Sequence, residues 1–462
     1  MNETRPDNLP TAPARKGFRQ RVSRALLPQR AVSDLDLSFA AGSLGALVIR
    51  VVGTGLLLAL QIVLTRVMGP EEFGDYLYAL SWVNVLAAIA AFGMDTASLR
   101  FVAAYVGTSD WEHLRGYLGV SAWIVFMASA AFSGVMAAIV FLLRGHLADG
   151  LRATLFAASL LLPAATLLLL VAALLRGFHH VTVAMMPQFV VRPLLVGSIV
   201  WVAYRIVSRP PTAVEVVSLE IVVACAVLAA MISILWRKLP EPLKISGRSR
   251  QNASLWRATG LHLMAITGIR MAMNKIDILT VGFLLDTKAA GVYAIGAQVA
   301  MLISFGLFAV NMIAAPIIAQ LHAQERREEL QRIVRLGALA AFAFSTVTGA
   351  VLMLLGKTIL GLFGPAFVAA YAPLQVLVLS QIANSLAGSV GFIMTMTAHE
   401  KEAARITAWT GILNVVLAFL LIPRFGLLGA ASATAVAGIV WNAVLVALVW
   451  RRVAINPTVF RR

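Results

Sequence analysis

Cysteine is almost absent from this sequence, and charged side chains are scarce. The single cysteine, Cys225, excludes a disulfide framework and a thiolate metal centre, because each needs several cysteines. Only 13% of the 462 residues are charged, whereas a soluble chain carries about a quarter. With 60% hydrophobic residues, the chain has too little polar surface to cover a soluble body of this size. The composition therefore indicates a membrane protein.

Long apolar runs recur from Phe39 to Trp450. A helix rises about 1.5 Å per residue, so about 20 apolar residues cross a hydrocarbon core of about 30 Å. Helices are favoured because a barrel would instead show alternating strands of about ten residues. We predict an all-α polytopic membrane protein with about twelve transmembrane helices, near residues 41–66, 77–98, 117–143, 153–174, 183–204, 213–236, 259–284, 290–318, 334–356, 372–397, 404–422 and 427–450.

Basic residues are distributed unequally between the two sets of connecting loops. With an even number of spans, both termini lie on one side of the membrane. Most of the 38 Lys and Arg residues fall in the tails and loops on that side, which is therefore predicted to be cytoplasmic. The net charge of +17 then reflects this bias and attraction to anionic lipid headgroups, and we predict no nucleic-acid partner.

Motifs for catalysis and for bound cofactors are missing. The sequence has no Walker A motif, no other cofactor motif and no ligand cluster beside His179 and His180, so we predict no ATP hydrolysis, cofactor or metal. Membrane enzymes that polymerise lipid-linked sugars carry a sizeable external loop, whereas the longest one here, 357–371, has about fifteen residues. We therefore expect a protein that is not an enzyme.

A polar, basic segment after the sixth span divides the chain into two halves of six helices. Superposing Gly74 on Gly291 also superposes Tyr76 on Tyr293, in two turns that each lead into the next helix. Six helices per half preserve orientation, so we predict a parallel repeat, as in transporters that rock two bundles around a central site. The predicted organisation is a disordered basic tail (1–38), an N-lobe (39–236), a cytoplasmic linker (237–258), a C-lobe (259–452) and a cytoplasmic C-tail (453–462).

Four basic residues lie inside predicted spans, where charge is costly and usually functional. Arg50, Arg192 and Arg270 each lie about nine to eleven residues from the cytoplasmic end of a span, at a shared depth of roughly 14–17 Å. With Lys275, they predict a cationic mid-membrane cavity for an anion such as a lipid-linked phosphate or pyrophosphate. The alternative is a set of separate salt bridges or side chains that reach the interface.

Three carboxylates are candidates for coupling transport to an ion gradient. Asp277 either pairs with Lys275 or takes and releases a proton during the cycle. Glu220 is the other deep carboxylate in the spans. Asp95 lies near a cytoplasmic span end, and we interpret it mainly as an interfacial partner of Arg100.

Several short motifs follow one another in the order found in one transporter family. They are Arg-Val-Met-Gly-Pro-Glu-Glu-Phe-Gly-Asp-Tyr at 66–76, Phe-Gly-Met-Asp at 92–95, Gly-Val-Tyr at 291–293, Leu-Phe-Gly-Pro-Ala-Phe at 362–367 and Met-Thr-Met-Thr-Ala-His-Glu at 394–400. From about residue 40 to 450, the chain resembles the polysaccharide (O-antigen, Wzx-type) flippases of the multidrug/oligosaccharidyl-lipid/polysaccharide exporter superfamily.

This resemblance implies a two-lobed transporter with a V-shaped central cavity in the bacterial inner membrane. Such a flippase moves an undecaprenyl-pyrophosphate-linked oligosaccharide from the cytoplasmic to the periplasmic leaflet by alternating access, for O-antigen, capsule or exopolysaccharide assembly. Polysaccharide polymerase and glycosyltransferases are its implied partners. A cation-coupled multidrug exporter of the same superfamily is the alternative, and an enzyme or scaffold of envelope assembly is a third.

Overall fold

The structure, a computed structural model, is helical throughout its described part, which comprises residues 29–244, 247, 249–250 and 252–460. This confirms the all-α prediction. Of the predicted disordered tail, residues 1–28 lie outside the described residues, and residues 29–38 belong to the first helix. In the described part of the predicted linker, one short helix lies between Lys238 and Ala253.

Within the described residues, eight helices precede this linker. Pro187–Val191 forms a single π-turn between the sixth and seventh of them. The eight are α1 (Gln29–Met68), α2 (Pro70–Ala90), α3 (Met94–Gly107), α4 (Trp111–Leu142), α5 (Asp149–Gly177), α6 (Val181–Met186), α7 (Arg192–Val207) and α8 (Ala213–Lys238).

The linker helix and seven further helices complete the described chain. A 3₁₀ turn at Pro365–Ala370 leads into the sixth of these eight elements. They are α9 (Glu241–Lys244), α10 (Ala253–Leu284), α11 (Thr287–Met301), α12 (Ser304–Ala323), α13 (Arg327–Phe363), α14 (Tyr371–Ala387), α15 (Val390–Met396) and α16 (Glu400–Val453).

The number of membrane crossings depends on two unusual helices. Within the described residues, nine helices are long and apolar enough to cross, and the bent pair α11 and α12 makes ten. The 54 residues of α16 count once, although about 80 Å of helix would overrun a bilayer and Gly426 breaks the helix with a φ of 55°. The polar α10 is not among the ten. Twelve crossings require that α16 crosses twice and that α10 crosses too, so this number stays a prediction.

Large apolar side chains cover the outside of the helices as well as the core. Trp123, Leu354 and Trp409 are all well exposed. An exposed apolar surface of this extent is unfavourable in water but contacts lipid tails in a bilayer. The surface therefore agrees with the prediction of a multi-span membrane protein.

Glycine lets the two turns that the sequence predicts to be related by a repeat pack against each other. A side chain at Gly74 or Gly291 would collide with the backbone of the other segment, so α2 and α11 meet at glycine, as closely packed membrane helices often do. Beside them, the Lys288 ammonium lies 3.1 Å from Glu71 Oε1. Glu71 and Lys288 are 217 residues apart, as are Gly74 and Gly291. Contact between equivalent positions is the arrangement expected beside a two-fold axis.

Helix α10 contacts both halves of the chain. Near its beginning, Trp256 is fully buried and donates an indole hydrogen bond of 3.0 Å to the Tyr105 hydroxyl of α3. Near its end, Asp277 accepts hydrogen bonds from α16. Arg270 lies between these two anchors, so it lies on a helix that contacts both halves.

Candidate functional site

Arg270 is exposed on α10. His262 and Asn274 are exposed within about 120° of rotation on the same helix, and the exposed apolar Ile266 lies between His262 and Arg270. Among the described residues, Arg270 makes no ion pair or direct hydrogen bond, although its charge acts on Asp95. This surface of α10 is therefore mixed, with Arg270 as its charged group.

The structure corrects the expected partner of Asp95. Its electrostatic partners are Arg176 of α5 and Arg270 of α10, and not Arg100, whose guanidinium instead lies 5.9 Å from the Phe101 ring. One carboxylate oxygen of Asp95 is buried and has no hydrogen-bond partner among the described residues. The charges of one arginine from each half of the chain thus act on Asp95.

Arg50 is exposed, and its guanidinium lies 4.1 Å from the centre of the Phe308 ring in α12. Within the part of the chain that the structure describes, Arg50 has no carboxylate partner. A guanidinium over an aromatic face keeps its charge available to an anion. Arg50 therefore meets the chemical requirement for an anion ligand, and it does so next to a residue of the second half.

Arg192, in contrast, is engaged in a buried ion pair. Its guanidinium bonds to Oε2 of Glu220 through both Nε, at 2.5 Å, and Nη2. The other oxygen of Glu220 accepts a 2.8 Å hydrogen bond from the Tyr76 hydroxyl. Glu220 is only 2% exposed, so Arg192 neutralises a buried carboxylate and is not a free cation. For this arginine, the salt-bridge alternative describes the observed geometry.

Arg192 nevertheless reaches an internal cavity of about 110 Å³. Asn84, Gln188 and Met271 also line this cavity, and the last of these follows Arg270 in α10. The volume is too small for an oligosaccharide. In this conformation the cavity offers one guanidinium edge and two amides.

The chain reaches Arg192 through the π-turn at Pro187–Val191. The sequence predicts a kink here because Pro193 has no backbone N–H to donate to the preceding turn. The backbone stays helical through this turn, so residues 181–207 form one continuous span and α7 starts at Arg192. The kink stays a prediction. Single π-turns within helices are common where a side chain must be redirected.

Asp277 has polar partners, but all of them are neutral. Its two oxygens accept hydrogen bonds from Asn414 Nδ2 at 2.8 Å and from Thr434 Oγ1 at 2.9 Å. The Tyr293 hydroxyl lies 3.3 Å from Thr434 Oγ1 and also interacts with the carboxylate. Lys275 makes no ion pair or hydrogen bond with any described residue, so the pairing of Asp277 with Lys275 is not observed.

The two carboxylates therefore differ in chemistry although each contacts a repeat-related tyrosine. Glu220 contacts Tyr76 and has an arginine, which stabilises its ionised form. Asp277, which is partly buried, contacts Tyr293 and has no cation among the described residues. Of the two, only Asp277 has no opposite charge beside it within the described chain.

Glu220→Gln is expected to destabilise the fold by about 3 kcal/mol, because it leaves Arg192 buried without a counter-charge. Replacing both residues, as Arg192→Gln with Glu220→Gln, should cost less than Glu220→Gln alone. Thermal unfolding of the purified protein in detergent measures both effects. Glu329→Gln is the matched control, since it breaks an exposed pair with Arg326 that is worth at most about 1 kcal/mol. Equal melting temperatures for Glu220→Gln and the control would contradict a structural role for the buried pair.

No group of three or more histidine, cysteine or acidic side chains able to hold a metal ion occurs in the described ranges. The polar groups instead lie between helices and beside a cavity, which defines the class of a polytopic membrane transport protein.

Solved structures share this fold. An inward-facing multidrug resistance MATE family transporter of the MOP superfamily gives a TM-score of 0.67 at 16% identity, over 89% of this chain and 98% of that chain.

Two further structures of the superfamily match equally broadly. The lipid II flippase MurJ, in an inward closed conformation, gives a TM-score of 0.67 at 12% identity over 89% of this chain and 87% of that one. A transporter from Pyrococcus furiosus gives a TM-score of 0.61 at 15% identity, over 89% of this chain and 94% of that one. Its structure is described as having a binding pocket of reverse polarity. At these identities, the likeness establishes the fold.

Residues 40–322 match the family model described as polysaccharide biosynthesis protein, and residues 263–420 match the MatE model. The chain therefore belongs to the polysaccharide biosynthesis protein family of the MOP superfamily, as its motifs indicate. Probable flippase AglR of Haloferax volcanii is 26% identical over 171 residues, or 36% of this chain, and the match spans 35% of that relative's length. These relatives are transporters and flippases and not enzymes, which confirms the prediction that the chain is not an enzyme.

Sequence reasoning missed the partners of Glu220 and Asp277. A tyrosine inside a span usually needs a hydrogen-bond partner for its hydroxyl, so Tyr76 and Tyr293 carried a usable signal. That signal indicates that a partner exists but does not identify it.

Proposed function

We propose that the protein is a flippase that moves a polyprenyl-pyrophosphate-linked oligosaccharide from the cytoplasmic to the periplasmic leaflet by alternating access. The observation that carries this proposal is the set of intramembrane cations that lack a carboxylate contact among the described residues, namely Arg50, Arg270 and Lys275. Guanidinium and ammonium groups bind pyrophosphate oxygens well, and arginine does so bidentately. Family membership supports a saccharide substrate.

The setting of this activity follows from the charge asymmetry of the loops. We place both termini in the cytoplasm and the protein in a bacterial inner membrane, with residues 39–236 and 259–452 as two lobes around the substrate. The product would reach the periplasm for assembly into a surface polysaccharide. A polymerase and the glycosyltransferases that build the substrate are the natural partners.

We assign ion coupling to Asp277. A proton or a monovalent cation at this carboxylate would complete a site that Asn414 and Thr434 already frame with oxygen and amide groups. Glu220 and Asp95 are weaker candidates, because each of them has an arginine as an electrostatic partner.

A cation-coupled multidrug exporter is the second candidate function. The MatE match over residues 263–420 favours it, and so does Asp277, since a carboxylate without a cation suits a cationic drug. The unpaired cations of the spans argue against it, because they repel such drugs.

Reconstitution into proteoliposomes separates the two functions. With a short-chain polyprenyl pyrophosphate that carries a labelled oligosaccharide, we expect the fraction accessible to an external lectin to rise above that in protein-free vesicles. Ethidium uptake under an imposed proton or sodium gradient is measured in parallel. Unchanged lectin access together with gradient-driven ethidium transport would replace the flippase proposal with the exporter.

A further inference from the structure

A second pocket, unrelated to Arg192, lies where α4 ends and α5 begins. Its volume is about 390 Å³. It is lined by Val140, Phe141, Arg144, Arg152, Ala153 and Phe156. Two arginines and two phenylalanines thus meet in one open depression at a helix end.

The pocket carries a net positive charge. The Arg144 guanidinium lies 4.9 Å from the Phe141 ring and has no carboxylate partner among the described side chains. Arg152, in the first turn of α5, bonds to Asp149 at 2.9 Å, but Asp149 is 89% exposed and its charge is strongly screened. One full cation and one weakly paired cation therefore face the depression.

The surroundings of the pocket are apolar and exposed. Leu142 is 77% exposed beside Phe141, and Leu160 is exposed one helical turn after Phe156. Exposed apolar side chains along a spanning helix face acyl chains, whereas the end of the helix lies at headgroup level. A ligand of this pocket must therefore be both anionic and hydrophobic.

We infer that this pocket binds the phosphate headgroup of an anionic phospholipid, such as phosphatidylglycerol, from the leaflet that the α4–α5 turn faces. Arg144 and Arg152 hold the phosphate, and the acyl chains run down over Phe156 and Leu160. Free phosphate would leave the apolar wall uncovered, and a zwitterionic headgroup would place a choline or ammonium group beside two guanidiniums. Charge complementarity thus selects an anionic lipid.

The test compares lipid binding by the purified full chain in detergent, using native mass spectrometry. Phosphatidylglycerol and phosphatidylcholine with identical acyl chains are titrated separately. We expect wild type to retain phosphatidylglycerol preferentially, and the double variant Arg144→Gln with Arg152→Gln to bind it about thirtyfold more weakly. The matched control is Arg205→Gln, because Arg205 also lies over an aromatic ring, that of Trp201 at 5.7 Å, but does not line the pocket.

Several outcomes would overturn the assignment. Equal retention of the two lipids by wild type would show that the site does not recognise anionic charge. An equal loss of phosphatidylglycerol binding in the double variant and in the Arg205→Gln control would show that general surface charge causes the effect. A third titration uses polyprenyl phosphate, and displacement of phosphatidylglycerol by this lipid at lower concentration would reassign the pocket to the carrier lipid.

Discussion

Replacing Arg270 with alanine is expected to reduce surface polysaccharide severely while the protein still inserts at normal levels. Arg270 is exposed on a helix that contacts both halves, and it makes no direct ion pair within the described chain. Its removal should therefore cost little stability. Losing one charge-assisted contact to pyrophosphate should slow transport about tenfold to a hundredfold.

The measurement is the amount of surface polysaccharide in cells whose only copy of this protein is the variant. The amount of the protein in the membrane is quantified by immunoblot. Arg257→Ala is the matched control, because Arg257 is an exposed arginine of the same helix. Its Nε donates a hydrogen bond to the backbone carbonyl of Ala253, one turn earlier. Arg270→Lys should retain intermediate export, because it keeps the charge but loses bidentate geometry. Unimpaired export by Arg270→Ala would disprove the anion-cavity proposal.

The sequence predicted the positions of the charged residues better than their partners. Hydropathy identifies a span and a charge within it, because both are local properties of about 20 residues. The partners of Asp277 lie 137 and 157 residues away, and no local pattern indicates which helices meet there. The nearby Lys275 was the natural expectation for Asp277, and tertiary packing selects other residues.

Arg192 illustrates the same limit in a different way. Its position within a predicted span indicates an unusual charge, but depth alone does not distinguish an anion ligand from one partner of an ion pair. Glu220 decides the matter, since it lies 28 residues away on the next long helix and is almost fully buried. A charge in a span therefore predicts a polar environment, and the function depends on whether an opposite charge is already present.

The helix α16 and the polar α10 show why the number of spans is harder to predict than the class. Gly426 breaks α16 by a backbone rotation in the short segment between the predicted spans 404–422 and 427–450, without a loop. In α10, the charged residues proposed to act in transport also lower the hydropathy that identifies a span. A count of spans from hydropathy is therefore weakest at these two helices.

Asp277→Asn is expected to remove the response of transport to an ion gradient. Asparagine keeps the shape of the side chain and a hydrogen-bond acceptor for Asn414 or Thr434, so the packing of α10 against α16 should persist. It has no charge and takes up no proton at physiological pH, and its amide oxygen is a weaker cation ligand than a carboxylate. A gradient that accelerates wild-type transport about tenfold should leave the variant unchanged.

Proteoliposomes provide this measurement, with proton and sodium gradients imposed separately to identify the coupling ion. Asp286→Asn is the matched control, because Asp286 caps α11 through a 2.6 Å hydrogen bond from the Ala289 amide and asparagine caps helices equally well. A gradient response in Asp277→Asn equal to that of wild type would exclude Asp277 from coupling. Loss of the response together with unchanged transport in the absence of a gradient would separate coupling from substrate binding, since Arg270→Ala should slow transport in both conditions.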